Sequence, residues 1–161
     1  MTRRVMLSVI GILTLCAVPQ AQAGGLALGR ATTVAGRTVT VPLVYTAGRG
    51  PDAVALATDI RFDPAVLSQP RCAGGRSLGS GKDVKCSEPR SGLLRLAVYG
   101  LNLDSVPAGE VATVTFDVAP GARPRSYQLR HTASAATADG TDFTLRQRPG
   151  TVRVSALPRR R

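Results

Sequence analysis

The feature that most limits the fold of this chain is a recurring period-two alternation of apolar and polar residues, with almost no helical periodicity. Residues 38–45 illustrate it best, because Val39, Val41 and Leu43 would share one face of a strand. Glycine, proline and Asp-Gly pairs separate such stretches. The sequence therefore predicts eight or nine short strands in a β-sandwich or barrel, and a sandwich or jelly roll is preferred.

The other strands are predicted from the same alternation and from apolar runs bounded by turn residues. These predicted strands are residues 26–29, 54–62, 93–99, 111–118, 126–132, 143–145 and 150–154. In the strand at 54–62, Ile60 would face the core while Asp59 and Arg61 face outward. Pro42 indicates that the strand at 38–45 either lies at a sheet edge or contains a β-bulge.

The first 23 residues have the organisation of a secretory signal peptide. Arg3 and Arg4 give a positive n-region, residues 5–18 are apolar, and an Ala-Gln-Ala cleavage site ends at Ala23. The apolar run is short for a membrane span and no second one follows, so we expect no transmembrane segment after cleavage. An uncleaved anchor helix is the less favoured alternative. We expect a secreted or periplasmic protein, with association with the cell envelope as a further option.

The remaining chain has the size of one domain, which we assign to residues 26–155, followed at residues 156–161 by a basic tail that we expect to be disordered. The formal net charge of +11 comes mainly from arginines scattered along the sequence. This scatter favours an ordinary charged surface, with an anionic cell-surface polymer as the alternative explanation. Because the sequence contains neither a groove-reading helix nor an aromatic-basic platform, we expect no nucleic-acid partner.

Cys72 and Cys86 are the two cysteines that remain once the predicted signal peptide is removed. They flank a glycine-rich segment, whose composition predicts the least ordered part of the domain. In an oxidising compartment such a pair predicts a disulfide that closes this loop. A metal site would need further Cys or His residues nearby, and the segment contains none. We therefore predict a disulfide and no metal.

Few residues are suited to catalysis. His131 is the only histidine, and no Gly-x-Ser-x-Gly motif accompanies it, so a structural or surface role is expected. The carboxylate pairs Asp59 with Asp63 and Asp139 with Asp142 are candidates for glycoside hydrolysis or calcium binding. Their Asp-Pro and Asp-Gly contexts nevertheless favour turn residues, including a hairpin turn at Asp139. We expect a protein without enzymatic activity and without a cofactor.

Several sequence blocks, taken together, resemble cohesin domains, the nine-stranded jelly rolls of cellulosome scaffolds. The blocks are Thr-Val-Thr-Val-Pro at 38–42, Phe-Asp-Pro-x-Val-Leu at 62–67, Gly-Glu-Val-Ala-Thr-Val-Thr-Phe-Asp-Val at 109–118 and Gly-Thr-Val-Arg-Val at 150–154. The resemblance implies an all-β, nine-stranded jelly-roll sandwich. It also implies a non-catalytic module that docks calcium-carrying dockerins through one sheet face. Carbohydrate-binding modules share this fold superfamily, so the resemblance implies a polysaccharide as the alternative ligand and polysaccharide degradation as the context.

The predicted binding site is the outward face of the strands at 54–62 and 93–99, which the resemblance assigns to the sheet face that cohesins use. Its residues are Asp59, Arg61, Arg95 and Tyr99. Arginine and tyrosine are frequent interface anchors, which favours a protein partner over a carbohydrate. For any single one of these residues, an ordinary solvated sheet face is the preferred interpretation. For a carbohydrate ligand, Tyr99 and secondly Tyr45 are the aromatic candidates, since tryptophan is absent. A structural envelope protein held to anionic polymers by its basic surface is the third hypothesis.

Overall fold

The computed structural model describes residues 24–156, and all regular elements in this range are β-strands. The predicted signal peptide and all of the predicted tail beyond residue 156 lie outside the described residues. The strands within the described range are β1 (Gly25–Leu28), β2 (Arg30–Val34), β3 (Thr38–Thr46), β4 (Ala55–Arg61), β5 (Leu67–Gly74), β6 (Lys82–Arg90), β7 (Leu93–Gly100), β8 (Gly109–Val118), β9 (Ser126–Ala136), β10 (Asp142–Thr144), β11 (Arg146–Arg148) and β12 (Gly150–Ser155).

These strands form two sheets whose inner faces enclose one apolar core. The first sheet has five strands in the order β11-β1-β3-β8-β5, and the second has seven, in the order β2-β12-β9-β4-β7-β6 with β10 paired to β9. Phe116 from the first sheet and Ile60 and Leu96 from the second are fully buried between them. Two antiparallel-dominated sheets packed in this way form the predicted jelly-roll β-sandwich.

The alternation in the sequence corresponds to burial in the structure. Val39, Val41 and Leu43 on β3 are buried, and the residues between them are exposed or half-buried. On β4, Ile60 is buried while Arg61 is exposed. Alternation of this kind appears where one face of a strand packs on the core and the other meets solvent, so the assignment of inner and outer faces is confirmed.

The described residues contain twelve strands rather than nine, and one of the additional strands arises because the chain passes from one sheet to the other at Gly29. There β1 ends its pairing with β3, and β2 begins its pairing with β12. The Gly29 amide donates to the Pro42 carbonyl (2.8 Å), while the Gly29 carbonyl accepts from the Thr151 amide (3.2 Å). A Cβ atom at position 29 would lie 2.5 Å from Pro42 Cγ, so this crossing requires glycine.

Pro42 does not mark an edge, because β3 lies between β1 and β8. A register shift against β8 between Leu43 and Val44 is the β-bulge that was the other predicted option. Proline is tolerated in this inner strand for a local reason. Proline has no N–H that could donate to the Gly29 carbonyl. The Thr151 amide donates to this carbonyl instead, so the missing N–H leaves no acceptor unpaired.

The segment between the cysteines is not one continuous loop as predicted, because each end of it belongs to a strand. Cys72 lies on β5 and Cys86 on β6, and residues 75–81 connect the two strands. Both are edge strands, and most of their residues are exposed or half-buried, which weakens the alternation that would reveal them in the sequence. The predicted disulfide is confirmed, with the two Cα atoms 6.2 Å apart. It joins the two sheets across one open side of the sandwich.

Candidate binding face

The four predicted site residues lie on one surface, the outward face of the second sheet. β4 and β7 are adjacent strands in this sheet, flanked by β9 and β6. Their buried residues point to the core, so the alternate positions Asp59, Arg61, Arg95 and Tyr99 point away from it. The structure thus brings the predicted residues together, and we call the outward surface of β9, β4, β7 and β6 the docking face.

Asp59 and Arg95 are directly opposite each other on β4 and β7 and form a bidentate ion pair. Arg95 donates from Nε to Asp59 Oδ1 (2.8 Å) and from a terminal nitrogen to Oδ2 (2.9 Å). The hydrogen bond from Arg95 is the main cause that holds the pKa of Asp59 below its ordinary value, and the charges of Arg61 and Arg90 add to it. The pair therefore holds the Arg95 guanidinium in one orientation on the docking face.

Arg61 has no such partner among the described residues. It lies opposite Arg130 on β9 and opposite Leu93 on β7, and no carboxylate in residues 24–156 forms a salt bridge with Arg61 or Arg130. Directly opposed like charges repel each other in a sheet. This end of the docking face is consequently positively charged.

The middle of the docking face is flat because its side chains are small. A shallow depression of about 170 Å³ is lined there by Ala57, Ala97, Ser134 and the side of Tyr99, among others. Tyr99 borders it and keeps 39% of its surface exposed. Small residues allow the backbone of a bound partner to approach closely, and an adjacent tyrosine supplies amphipathic contact area.

Two exposed leucines follow the strand that carries Tyr99, and the sequence did not identify them as site residues. Leu101 and Leu103 follow β7 with exposures of 106% and 70%, and together with Tyr99 they are the exposed large hydrophobic residues within the described part of the chain. We call these three residues the apolar patch. The sequence feature that could have identified them is their position in a short segment between the end of β7 and Pro107. No strand alternation assigns the two leucines to the core there, so they could have been expected at the surface.

The loop that carries Leu101 and Leu103 is anchored at both ends. The Lys82 ammonium on β6 donates to the carbonyls of Val54 (2.9 Å) and Asn102 (3.3 Å). Further along, the buried Val106 donates its amide to the Ala53 carbonyl at 2.7 Å. The leucines are therefore held outward by a fixed loop, which lowers the conformational entropy lost when they contact a partner.

The second aromatic candidate, Tyr45, is not available to a ligand, so that prediction is wrong. Its exposure is 3%, because it lies on the same core-facing side of β3 as Val39, Val41 and Leu43. Desolvation by burial, with a contribution from the charge of Asp52, raises the pKa of its phenol. Tyr127 is buried as well. Tyr99 is the one exposed tyrosine among the described residues.

His131 has a structural environment inside the sandwich. It is buried on β9, with Nδ1 3.1 Å from Thr58 Oγ1 on β4 and Nε2 3.1 Å from the Arg148 carbonyl on β11. Burial lowers the pKa of the imidazole, and the bond to the Arg148 carbonyl partly opposes this. Since a carbonyl only accepts, Nε2 is the donor in that bond. The ring links both sheets and does not face solvent in a cleft.

Of the carboxylates considered for hydrolysis or calcium binding, Asp59 and Asp142 lie on strands β4 and β10, whereas Asp63 and Asp139 occupy turns. Asp63 accepts from the Ala65 amide at 3.0 Å, and Asp139 accepts from the Thr141 amide at 3.2 Å in the β9–β10 hairpin. Gly140 takes a φ of +82° in this turn, as the Asp-Gly pair predicted. Between residues 24 and 156, no three His, Cys, Asp or Glu side chains are grouped to hold a metal ion. The same range contains no helix long and apolar enough to cross a membrane.

Comparison with known proteins gives different results for sequence and structure. No protein-family model matches the sequence, and no curated protein matches it either. Among solved structures, the cohesin CaCohA2 from Clostridium acetobutylicum, in complex with a variant of the dockerin CaDoc0917, matches with a TM-score of 0.71 and 16% identity, over 82% of this chain and 99% of that one.

Two further solved structures give the same result. The third cohesin ScaC of Acetivibrio cellulolyticus, in complex with the ScaB dockerin, matches with a TM-score of 0.70 and 18% identity over 83% of this chain and 99% of that one. A non-cellulosomal cohesin from the archaeon Archaeoglobus fulgidus matches with a TM-score of 0.63 and 14% identity over 83% and 92%. This chain therefore has the cohesin fold, and the resemblance of its sequence blocks is confirmed at the level of the fold.

Proposed function

We propose that this chain is a non-catalytic binding module that docks a protein partner of dockerin type on the docking face. The observation that carries the proposal is the apolar patch of Tyr99, Leu101 and Leu103, three exposed residues at and just beyond the end of β7 in the docking face. Exposed apolar residues grouped beside polar ones mark protein interaction sites. CaCohA2 and the ScaC cohesin, both of which match this fold, were solved in complex with dockerins, which makes a dockerin the first partner to test.

The apolar patch would supply most of the affinity. Burial of the two leucines and the tyrosine removes apolar surface from water, and a few such anchors dominate the energetics of most protein interfaces. Arg95 would add a directional contact. Because Asp59 already fixes its guanidinium, little side-chain entropy is lost when a partner accepts a hydrogen bond from its remaining N–H groups.

The charge on the docking face favours a partner with an acidic rim. Arg61 and Arg130 lie side by side at one end, and Lys85 is exposed opposite Ala97 on the edge strand β6. Complementary charge of this kind accelerates association and selects among partners more than it raises affinity. We therefore expect the cognate partner to combine an apolar contact surface with acidic residues at its border.

Two features support binding over catalysis and over neutral glycans. His131 and both described cysteines are occupied, the first by hydrogen bonds inside the core and the others by the disulfide. A neutral polysaccharide is commonly bound by stacking on several aromatic rings, and Tyr99 is the one exposed aromatic side chain in the described range. A role in polysaccharide degradation would then come through the partner rather than through direct contact with the polymer.

We further propose that the module acts outside the cytoplasm, in secreted, periplasmic or envelope-associated form. The signal-peptide pattern of residues 1–23 supports this location. The disulfide between Cys72 and Cys86 also supports it, because such bonds persist in oxidising compartments.

The proposal is tested by measuring affinity for a panel of calcium-loaded dockerins and by capture from the secretome of the native host. We expect Leu101→Ser combined with Leu103→Ser to weaken binding about thirtyfold or more, as loss of a hot spot does. Thr32→Ala on β2, outside the docking face, is the control and should leave binding unchanged. Equal binding by the patch variant and the wild type would refute the assigned face. Retention on neutral glycans without any protein partner would refute the function.

A further inference from the structure

The other half of the second sheet has an outward face of different chemistry. Strands β9, β12 and β2 contain Arg130, Arg153 and Arg30, all exposed, and no aspartate or glutamate. The sequence scatters its arginines, but the parallel pairing of β12 with β2 and its antiparallel pairing with β9 bring these distant segments together. A positively charged surface is thereby assembled from residues that are far apart in the chain.

Two of these arginines lie in a shallow groove of about 500 Å³ across the three strands. The other side chains that line it are mostly hydroxyl and amide groups. The polar lining residues are Arg30, Thr32, Ser126, Gln128, Thr151 and Arg153. The strand register places them in two rows, with Arg30, Thr151 and Gln128 in one and Thr32, Arg153 and Ser126 in the next. The guanidiniums of Arg30 and Arg153 therefore belong to neighbouring rows on adjacent strands, and hydroxyl and amide groups surround them.

A third arginine continues the groove beyond the end of the strands. Arg125 and Arg153 line an adjoining depression of about 280 Å³. The Arg125 guanidinium carbon lies 4.7 Å from the centre of the Tyr127 ring, and its backbone carbonyl accepts from the Val154 amide at 2.9 Å. A cation–π contact and a backbone bond together hold this side chain in position. We call Arg30, Arg125 and Arg153, with the polar residues between them, the arginine groove.

These arginines have no internal anion. The salt bridges within residues 24–156 join Arg71 with Asp117, Arg76 with Glu110 and Arg95 with Asp59. None of them involves a member of the arginine groove. A planar guanidinium presents paired N–H donors that match a carboxylate or sulfate in bidentate geometry. The groove is thus a row of free anion-binding groups separated by donors and acceptors suited to hydroxyls.

We infer that the arginine groove binds a linear anionic polysaccharide, one that bears carboxylates or sulfates along a hydroxyl-rich chain. The guanidiniums would pair with the anionic groups, and Thr32, Gln128 and Thr151 would contact the sugar hydroxyls. A nucleic acid fits less well, because single strands are bound by aromatic rings that stack on bases and the groove has none. The ligand differs from the protein partner and uses the opposite half of the same sheet.

The test is a titration of the purified protein with polygalacturonate and, in parallel, with heparin, which separate the carboxylate source from the sulfate source. We expect binding to at least one of them, weakening steeply with salt, and no binding to fully methyl-esterified pectin. Arg30→Gln combined with Arg153→Gln should weaken it by about a hundredfold, roughly tenfold for each charged hydrogen bond lost. Arg49→Gln combined with Arg90→Gln removes the same charge elsewhere and should cost much less.

Three results would overturn the inference. The first is an equal loss of affinity in the groove variant and in the control pair, which would mean that net charge alone drives binding. The second is no binding to either anionic polymer in low salt. The third is duplex DNA binding as tightly and with the same dependence on Arg30 and Arg153. Because the groove variant retains the apolar patch, its dockerin binding should stay intact, so failure of one proposal leaves the other testable.

Discussion

The two halves of the second sheet share one backbone geometry and differ in almost every outward side chain. The docking face carries small residues, a fixed ion pair and the apolar patch, whereas the arginine groove carries free guanidiniums among hydroxyl and amide groups. β9 belongs to both, and along it Ser134 lines the first surface while Gln128 lines the second. An extended sheet can thus present two binding chemistries, because outward positions are free of the packing constraints that fix the inward ones.

The difference also extends to how each half is held in place. β6, at the outer edge of the docking face, is tied to the opposite sheet by the disulfide. β2, at the outer edge of the arginine groove, is held by pairing with β12 and by the crossing at Gly29. Each edge therefore has its own point of weakness, and substitutions at these points should affect the two surfaces separately.

The largest effect is expected from removing the disulfide. Cys72→Ala combined with Cys86→Ala should lower the free energy of unfolding by about 3 kcal/mol, the chain-entropy value for a loop of this size, since the cysteines are 14 residues apart. Urea denaturation measures this, and hydrogen exchange should show β6 loosening before β2. Unchanged stability, or two free thiols in the mass spectrum of the unreduced wild type, would contradict the prediction.

The second largest effect is expected from a substitution at Gly29, where the chain crosses to β2 at the edge of the arginine groove. Gly29→Ala should destabilise the fold by about 1–3 kcal/mol, as overpacking does, because the new methyl group would lie 2.5 Å from Pro42 Cγ. Affinity for polygalacturonate should fall as β2 shifts, while dockerin binding changes less. Gly121→Ala is a matched control, since nothing lies within 4 Å of a Cβ atom there. Equal thermal midpoints for the two variants would show that the crossing tolerates a side chain.

A third prediction addresses the strand shared by both halves. Because burial lowers the folded-state pKa of His131 below 6.5, the folded protein binds fewer protons than the unfolded chain as the pH falls. The stability contributed by the neutral ring is complete above the unfolded pKa and is lost as the pH falls through the folded pKa. Unfolding free energies measured between pH 7.5 and 5 should decline, and the slope should flatten in His131→Gln. An unchanged slope in that variant would exclude His131 as the cause.

The sequence predicted the inner strands well because their alternation reflects one buried face. β3, β4, β7 and β8 were found close to their observed bounds for this reason. β5 and β6 were missed since edge strands whose inner face is only half-buried show a weaker pattern, and β2 was missed because the crossing at Gly29 divides a continuous segment between sheets. These pairings depend on tertiary contacts that local propensity does not encode.

The candidate site was predicted in part, for a comparable reason. Asp59 and Arg95 were assigned to the same outward face from strand alternation, but their bidentate pairing depends on the register of β4 against β7. Leu101 and Leu103 lie in a loop, where alternation assigns no face. The arginine groove was invisible in the sequence because Arg30, Arg125 and Arg153 come from segments that only the sheet order brings together.

The smallest expected effect is on the pKa of Asp59, and it tests whether Arg95 is paired, unlike the free arginines of the arginine groove. In Arg95→Gln, the pKa of the Asp59 carboxyl should rise toward its ordinary value, because the hydrogen bond from Arg95 is the main cause of its depression. Carboxyl ¹³C chemical shifts followed between pH 6 and 2 measure this titration. The wild-type pair contributes stability above the unfolded pKa of Asp59 that is lost as the pH falls, and the contribution is small because both groups lie at the surface.

Arg71→Gln provides the control for this titration, since Arg71 pairs with Asp117 in the region of β5 and β8 and should leave Asp59 unmoved. If Asp59 keeps its low pKa without Arg95, then Arg61 and Arg90 must supply the depression through their charges. The hydrogen bond from Arg95 would then have little effect on the carboxyl in solution, and the proposal that Asp59 orients Arg95 would be refuted. A return of the pKa toward its ordinary value instead means that Asp59 holds Arg95 in one orientation. The docking face then carries a paired arginine, whereas the arginines of the arginine groove are free to bind anions.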